Sequence, residues 1–496
     1  MKGIFDRIAV HAAATPGAVA IADDCGELDY RCLAMEIARA VPCLRGRRIG
    51  LLADNGRHWA VADLAIAARG ALCCPLPGFF SEAQIAHLIR DADLDLIVTD
   101  QPMRLQGVAV GSTIRRLDIA GRELWLLARP AAGGAAIPGG TAKVTYTSGT
   151  TGTPKGVCLT GAAIEQAAVR LCEAAGAAAA DRALSLLPLA TLLPNIGGLY
   201  APLHAGARAE LPALETCGLA GSSGLRVEGF ARAIRRYRPS TLILVPELLK
   251  ALTAAVAAGL VEPAGLRFIA VGGAPVSPAL MSQALALGLP VYQGYGLSEA
   301  ASVVALELPG ARRLGSVGRP LPRRGVRIAA DGEVLVAAPG FLGYVGAPHV
   351  GAGHWPTGDL GRLDADGYLY IDGRKRSAYA TGFGRNLAPE WVEGELTAHR
   401  NIAQAAVFGA GRPFNGAVIV PGRGASAAAV ADAIAGVNAR LPDYARVARW
   451  LVAHEPFTPH NGLAGPSGAM RRAAVLEHYR DAIDQLYAGD PHHVAV

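Results

Sequence analysis

Ten residues constrain this chain more than any others: Thr147-Ser148-Gly149-Thr150-Thr151-Gly152-Thr153-Pro154-Lys155-Gly156. Ahead of them, Val144 and Tyr146 alternate with Lys143 and Thr145, the period-two pattern of a short strand. Behind them, Thr160 is placed to cap a helix whose apolar face runs Ile164, Ala168, Leu171 and Cys172. The stretch therefore reads as a loop between a strand and a helix. Its glycines let backbone N–H groups approach an anion closely, its hydroxyls add uncharged donors, and Lys155 adds a point charge. That composition suits a loop that holds polyphosphate. A flexible Ser/Thr/Gly linker is the plainer alternative, but linkers seldom end in Pro-Lys-Gly. The spacing is not that of a Walker A loop.

A chain of 496 residues is long enough for two or three domains, each with its own core. The net charge of +6 is carried almost wholly by arginine, since the only lysines are Lys2, Lys143, Lys155, Lys250 and Lys375. The basic residues are scattered without interleaved aromatics, which disfavours nucleic-acid binding and fits, weakly, acidic small molecules. The eight cysteines form no CxxC pair, and none follows Cys217, which argues against a zinc site or a disulfide framework. The N-terminus lacks an apolar signal region, and no apolar run reaches membrane-spanning length. The expectation is a soluble cytoplasmic protein.

Strand-like and helix-like stretches alternate from Phe5 to about Asp100: strands at 49–53, 71–75 and 94–99, helices at 59–68 and 82–89. Such alternation predicts parallel βα units. Further strands are expected at 183–187, 241–245, 268–271 and 291–293. After Gly310, Asp331-Gly332 and Asp366-Gly367 stand between alternating apolar residues and predict two hairpins of a small antiparallel sheet. A polar run at 372–377 then leads to an α+β tail. The fold class expected is α/β: a large body of βα units with a small antiparallel subdomain over 1–372, then a small mobile α+β domain over 373–496 with a hinge at 374–377.

Three shorter constellations follow the loop. Gly272-Gly273-Ala274-Pro275 comes directly after a strand and leaves space for a flat ligand against bare backbone; a tight turn is an equal reading. In Gln293-Gly294-Tyr295-Gly296-Leu297-Ser298-Glu299, the glycines free the Tyr295 ring to stack on a base, and Ser298 and Glu299 offer oxygens to phosphate and Mg²⁺. In Thr357-Gly358-Asp359 a carboxylate can accept from both hydroxyls of a ribose, although an isolated Thr-Gly-Asp is more often only a turn.

Taken in order with Asp372-Gly373-Arg374-Lys375-Arg376, this set resembles the adenylate-forming superfamily of acyl-CoA synthetases, luciferases and nonribosomal adenylation domains, from Phe5 to about Arg472. The resemblance implies a large domain that binds ATP and a carboxylic acid, and a small domain that rotates between two half-reactions. The acid first becomes acyl-AMP with loss of pyrophosphate; a thiol then displaces AMP. By the same resemblance, Thr147, Ser148, Gly149, Thr150, Thr151 and Lys155 hold the phosphates. Gly273, Ala274 and Pro275 wall the adenine pocket, beside Gln293, Gly294 and Gly296, with Tyr295 stacked on the base. Ser298 meets the α-phosphate, Glu299 the Mg²⁺, and Asp359 and Arg374 the ribose. Gly382, Phe383, Gly384 and Arg385 line the coenzyme A tunnel. An acyl pocket is expected around Thr191, Leu192, Asn195, Gly197, Val245 and Gly272. Its apolar, small-residue make-up suits a bulky hydrophobic acid, and no fixed charge there calls for an amino acid.

The chain departs from the family at one place of consequence. Ala469 occupies the position of the family's C-terminal catalytic lysine, and no lysine follows Lys375. Its loss is expected to weaken adenylation by a charge-assisted transition-state contact and to spare thioester formation. Three explanations stand: Arg471 or Arg472 substitutes, the lysine was removed by engineering, or the protein takes preformed acyl-AMP and performs thiolation alone. Ser377 at the hinge is a smaller departure. The expected function is an acyl-CoA synthetase-like ligase for a hydrophobic carboxylic acid, using ATP/AMP, Mg²⁺ and coenzyme A, as a monomer or homodimer. The alternatives are transfer to a carrier-protein phosphopantetheine and a non-catalytic nucleotide-binding homologue.

Overall fold

The computed structural model describes residues 1–107, 113–130, 133–147, 154–220, 224–322, 325–351, 353–375, 377, 379–380, 386–410, 412, 414–466 and 468–488. Two sheets form the N-terminal body. In the first, Thr141–Thr147, Leu72–Pro75, Arg48–Leu52 and Leu96–Thr99 run parallel side by side. Antiparallel strands extend it at both edges: Lys155–Thr160 and Phe341–Tyr344 on one side, Arg122–Ala128 and Thr113–Ile119 on the other. In the second, Val291–Leu297, Phe268–Val271, Thr241–Leu244, Arg182–Leu184, Arg208–Glu210 and Val19–Asp23 are the parallel centre.

Strands Leu72–Pro75 and Leu96–Thr99 are buried at every position, as parallel strands covered on both faces must be. Helix Arg57–Ala68 is buried from His58 through Ile66. A helix that is apolar almost all round has no solvent face to present and belongs inside. The largest core cluster accordingly joins Ile49 and Val98 of the first sheet to Ile21 and Ala209 of the second, with Trp59 between them.

The expected α/β body and the small antiparallel sheet are both present. Val326–Ile328, Glu333–Ala337, His354–Leu363 and Leu369–Arg374 form that sheet, and Gly332 (φ +85°) and Gly367 (φ +80°) turn its two predicted hairpins. The C-terminal region has a sheet of its own, Ile402–Phe408, Asn415–Pro421 and Val447–Val452, packed against helices Pro389–Thr397 and Ala427–Asn438 through Val407, Ile419 and Val430. Among the described residues no helix is long and apolar enough to cross a membrane.

One expectation is corrected. The strand before the phosphate loop is followed not by a helix but by a second strand, Lys155–Thr160, paired antiparallel with Thr141–Thr147. Thr160 then caps helix Gly161–Ala174, its hydroxyl accepting from the Ala163 N–H at 3.2 Å. The strand read from the alternation before the loop is present, and it is covered on both faces: Lys143 and Thr145 are 2% and 5% exposed, no more than Tyr146 at 6%. Arg374 pairs with Asp359 and Gly373 with Leu360, so the small sheet runs to Arg374.

Candidate functional site

The open end of the hairpin brings Thr147 opposite Lys155. Pro154 is buried and Lys155 exposed. Ser148, Gly149, Thr150 and Thr151, with Gly152 and Thr153, lie outside the described residues. Lys155 Nζ stands 5.9 Å from the centre of the Tyr344 ring, and the Tyr344 hydroxyl donates to Glu299 Oε1 at 2.7 Å. Burial and then the Glu299 carboxylate push the Tyr344 pKa up, so the phenol remains a donor. Tyr344 thus joins the base of the phosphate loop to the expected magnesium ligand. No spacing in the sequence marks it.

Glu299 sits in a short 3₁₀ turn, Ser298–Ala300, and two non-glycine residues with positive φ follow: Ala301 (+51°) and Ser302 (+85°). Such conformations cost about 1–3 kcal/mol each and persist only where the surroundings impose them. Ala301 is 1% and Ser302 6% exposed. The ladder is irregular here, and a Cβ on Gly296 would collide with the Ser302 carbonyl. Gly296 is therefore required for the turn that presents Ser298 and Glu299.

On the ribose side, Asp359 is 3% exposed and already held from two directions. Tyr295 donates its hydroxyl to Asp359 Oδ2 at 2.5 Å, and Arg374 Nε donates to Oδ1 at 2.8 Å. Burial lifts the Asp359 carboxyl above its ordinary value in spite of Arg374 and Tyr295. Tyr295 packs against the cluster of Ala300, Val304 and Val336, so its orientation is set by apolar contact as well as by Asp359. Gly273, Ala274 and Pro275 are exposed, with Gly273 at φ +82°. Gly272 lies so close to the neighbouring strand that a Cβ there would be 2.8 Å from the Gly294 carbonyl. Gln293 is buried, and its N–H donates to Glu307 Oε2 at 2.9 Å.

Thr191 donates its hydroxyl to the Pro188 carbonyl at 2.8 Å, and Leu192 belongs to the main core. Val245 stands 3.7 Å from the position a Cβ on Gly273 would take, which puts it beside the expected adenine wall. Gly197 faces a cavity of about 20 Å³, walled also by Leu187, Pro194, Gly198 and Ile243. That cavity has room for a water molecule. Asn195, expected in the acyl pocket, is 1% exposed, and its amide joins a buried polar network with Lys143 and Asp63.

Ala469 is exposed in a loop held by its backbone, with Gly465 N–H donating to the Ala469 carbonyl at 2.7 Å and Arg471 N–H to the Leu463 carbonyl at 2.8 Å. Arg472 is engaged elsewhere. Its guanidinium donates to both Glu393 oxygens, at 2.5 and 2.6 Å, and to the Val407 carbonyl at 2.7 Å. Arg471 is exposed. At the expected hinge, Lys375 Nζ meets Asp331 Oδ2 at 2.6 Å and Glu333 Oε2 at 2.8 Å. Arg376 and the tunnel residues Gly382, Phe383, Gly384 and Arg385 lie outside the described residues.

Residues 8–355 match the family described as AMP-binding enzyme, and residues 380–491 match the AMP-binding enzyme C-terminal domain. A long-chain-fatty-acid–CoA ligase of Mycobacterium bovis is 27% identical over 89% of this chain and 88% of its own length. A sulfoacetate–CoA ligase of Cupriavidus necator is 30% identical, over 76% of this chain and 77% of its own. The crystal structure of an anthranilate CoA ligase in complex with anthranoyl-AMP shares the fold, with a TM-score of 0.79 at 20% identity over 97% of this chain and 98% of that one. With Glu299, Tyr295, Asp359 and Arg374 gathered around one end of the two-sheet body, the chain belongs to the AMP-binding enzyme family, in the acyl-CoA synthetase branch of the adenylate-forming superfamily.

Proposed function

We propose that the protein is an acid–CoA ligase that handles a hydrophobic carboxylic acid as its acyl-adenylate, with the thioester-forming half intact and the adenylation half weakened. Adenylation joins a carboxylate oxygen to the α-phosphorus of ATP and expels pyrophosphate. Thiolation joins a thiolate sulfur to the acyl carbonyl and expels AMP. On this reading Thr147, Lys155 and the loop between them hold phosphate, Asp359 and Arg374 take the ribose, and Gly273, Ala274 and Pro275 flank the base beside Tyr295. Ser298 turns to the α-phosphate. Gly382, Phe383, Gly384 and Arg385 admit the pantetheine arm after the region that follows the small sheet rotates about 374–377.

Magnesium fits this donor set. Among the described residues no cluster of three or more metal-binding side chains occurs, and Glu299 Oε2 has no partner while Tyr344 holds Oε1. One carboxylate plus phosphate oxygens and water is the usual complement for Mg²⁺, which would neutralise phosphate charge there.

The observation that carries the proposal is the contrast at the end of the chain. Ala469 offers no cation, and Arg472 is bound to Glu393, which argues against rescue by Arg472. The differing acids in the names of the relatives, a long-chain fatty acid and sulfoacetate, leave the acyl group to experiment. The test compares pyrophosphate release from ATP with a panel of acids against CoA-thioester formation from the corresponding synthetic acyl-AMPs. Thiolation without comparable adenylation is expected; equal, fast turnover in both would remove the half-reaction reading. Faster transfer to a carrier-protein phosphopantetheine than to CoA would replace the acceptor. AMP binding with no thioester from any adenylate would make the chain a non-catalytic homologue.

A further inference from the structure

Behind the expected acyl side lies a polar group that the proposed reaction does not use. Asp63, Lys143, Asn195 and Tyr200 are 0%, 2%, 1% and 0% exposed. They come from helix Arg57–Ala68, strand Thr141–Thr147 and the helical run Leu192–Asn195 and Ile196–Tyr200. Lys143 Nζ donates to Asp63 Oδ1 at 2.7 Å, to Asn195 Oδ1 at 2.6 Å and to the Tyr200 hydroxyl at 2.9 Å, which uses its full donor capacity. Tyr200 in turn donates to Asp63 Oδ2, Asn195 Nδ2 donates to the same oxygen at 3.1 Å, and the Cys73 thiol donates to Oδ1 at 3.2 Å. Burial and then Asp63 push the Tyr200 and Cys73 pKa values up, so both remain protonated donors. The network is saturated.

Well-packed apolar residues of similar volume would hold these elements together as well or better, so stability alone does not account for a buried ion pair. What a saturated network adds is a single geometry. That geometry falls at a distinctive point. Residues Ile196–Tyr200 form a π-turn, a wide and uncommon form of helix that recurs at functional sites, and it contains Gly197 and Gly198. A side chain on Gly197 would strike Ile243, and one on Gly198 would press on Ser185 at 3.0 Å. On its other side the network grips the strand whose last residue is Thr147. One ion pair therefore ties the acid side to the phosphate side.

We propose that Lys143 and Asp63 are positioning residues for the acyl group: through Asn195 and Tyr200 they fix the π-turn against the phosphate-loop strand, so that acyl carbonyl and phosphate are held in register. This rests on the ligase reading given above. Lys143→Met would leave Asp63 buried without its cation and risks unfolding the chain, so Tyr200→Phe, which removes one hydroxyl and keeps the ring, carries the test. Thioester formation is measured with octanoyl-, palmitoyl- and benzoyl-AMP, using the fastest of them. Tyr200→Phe is expected to raise KM for the acyl-adenylate about tenfold, well within the effect of a small misplacement, with KM for CoA and Kd for AMP changed less than about twofold. Selectivity among the three adenylates should flatten as well. Unchanged KM and selectivity, or an AMP affinity that weakens in parallel, would overturn the inference and leave a structural role. If the wild-type protein forms no thioester from any of the three, the ligase reading falls and this inference falls with it. A doubly apolar variant, Lys143→Met with Asp63→Leu, provides the second measurement: a folded protein with the same acyl-side defect supports the role, and normal KM and selectivity refute it.

Discussion

The two ends of the candidate site are built differently. Around Glu299 and Asp359, side chains hold side chains: Tyr344 grips one carboxylate, Tyr295 and Arg374 the other. Around Ala469, backbone holds backbone, and the nearby arginine Arg472 is drawn away to Glu393. On the proposed reading, the first arrangement would meet the charge that arrives with a nucleotide. The second is a backbone-held loop in which Ala469 carries no charge and Arg471 is exposed. A chain can lose one transition-state contact and keep its fold, because the contact was never part of the loop's own stability.

The sharpest test of that comparison is Arg472→Met. It leaves Glu393 buried beside Val407 without a cation, and breaking such a pair costs about 3–5 kcal/mol. A lower thermal midpoint or denaturant midpoint is expected, traced to the C-terminal region by hydrogen exchange. Loss of adenylation with stability unchanged would instead mark Arg472 as the substitute cation. Next in size is Ala469→Lys. If the loop is intact and only the charge is missing, adenylation measured as pyrophosphate release should rise about 10²–10³-fold, the scale of one transition-state donor, with thiolation of acyl-AMP unchanged. No gain would mean that the loop no longer reaches the reacting groups.

Asp359→Asn has a smaller expected effect. A hydrogen bond to a charged group contributes about 1.5–3 kcal/mol, so AMP affinity by calorimetry should weaken roughly ten- to hundredfold. The pH dependence has a definite sign. Burial raises the Asp359 carboxyl, and the ionised form is the one that accepts from ribose hydroxyls. AMP binding should therefore weaken on acidification at a pH above the usual carboxylate range, and the asparagine variant should lose that dependence. Stability moves the other way: the contribution of a raised carboxyl is present below its unfolded value and is lost as pH rises through the folded one.

Much of this was legible in local pattern. Asp331-Gly332 and Asp366-Gly367 marked the hairpins because only a few dipeptides accept the turn, and Thr160 marked a helix start because a hydroxyl can satisfy an orphan N–H. What could not be read is long-range. Alternation marked the strand holding Lys143 but not which layers cover it, because it reports period only; the partner Asp63 is 80 residues away. Tyr344 is one aromatic among many until the strand Phe341–Tyr344 pairs beside Lys155–Thr160. Asn195 gave no sign in the sequence of its buried partners Lys143 and Asp63, which are 52 and 132 residues away.

The smallest expected effect decides between the remaining explanations for Ala469. Arg471 is the N-cap of helix Arg472–His478, is exposed, and makes its ordered contact through its backbone N–H to Leu463. Its side chain therefore contributes little to the fold, and surface changes of this kind fall within about 0.5 kcal/mol. Arg471→Ala should leave thiolation, AMP affinity and the thermal midpoint where they are. If adenylation also stays at its residual level, no arginine replaces the missing lysine, and the backbone-held loop is the chemically silent half of the site. A fall in pyrophosphate release confined to this variant would place a working cation in the loop and erase the contrast between its two ends.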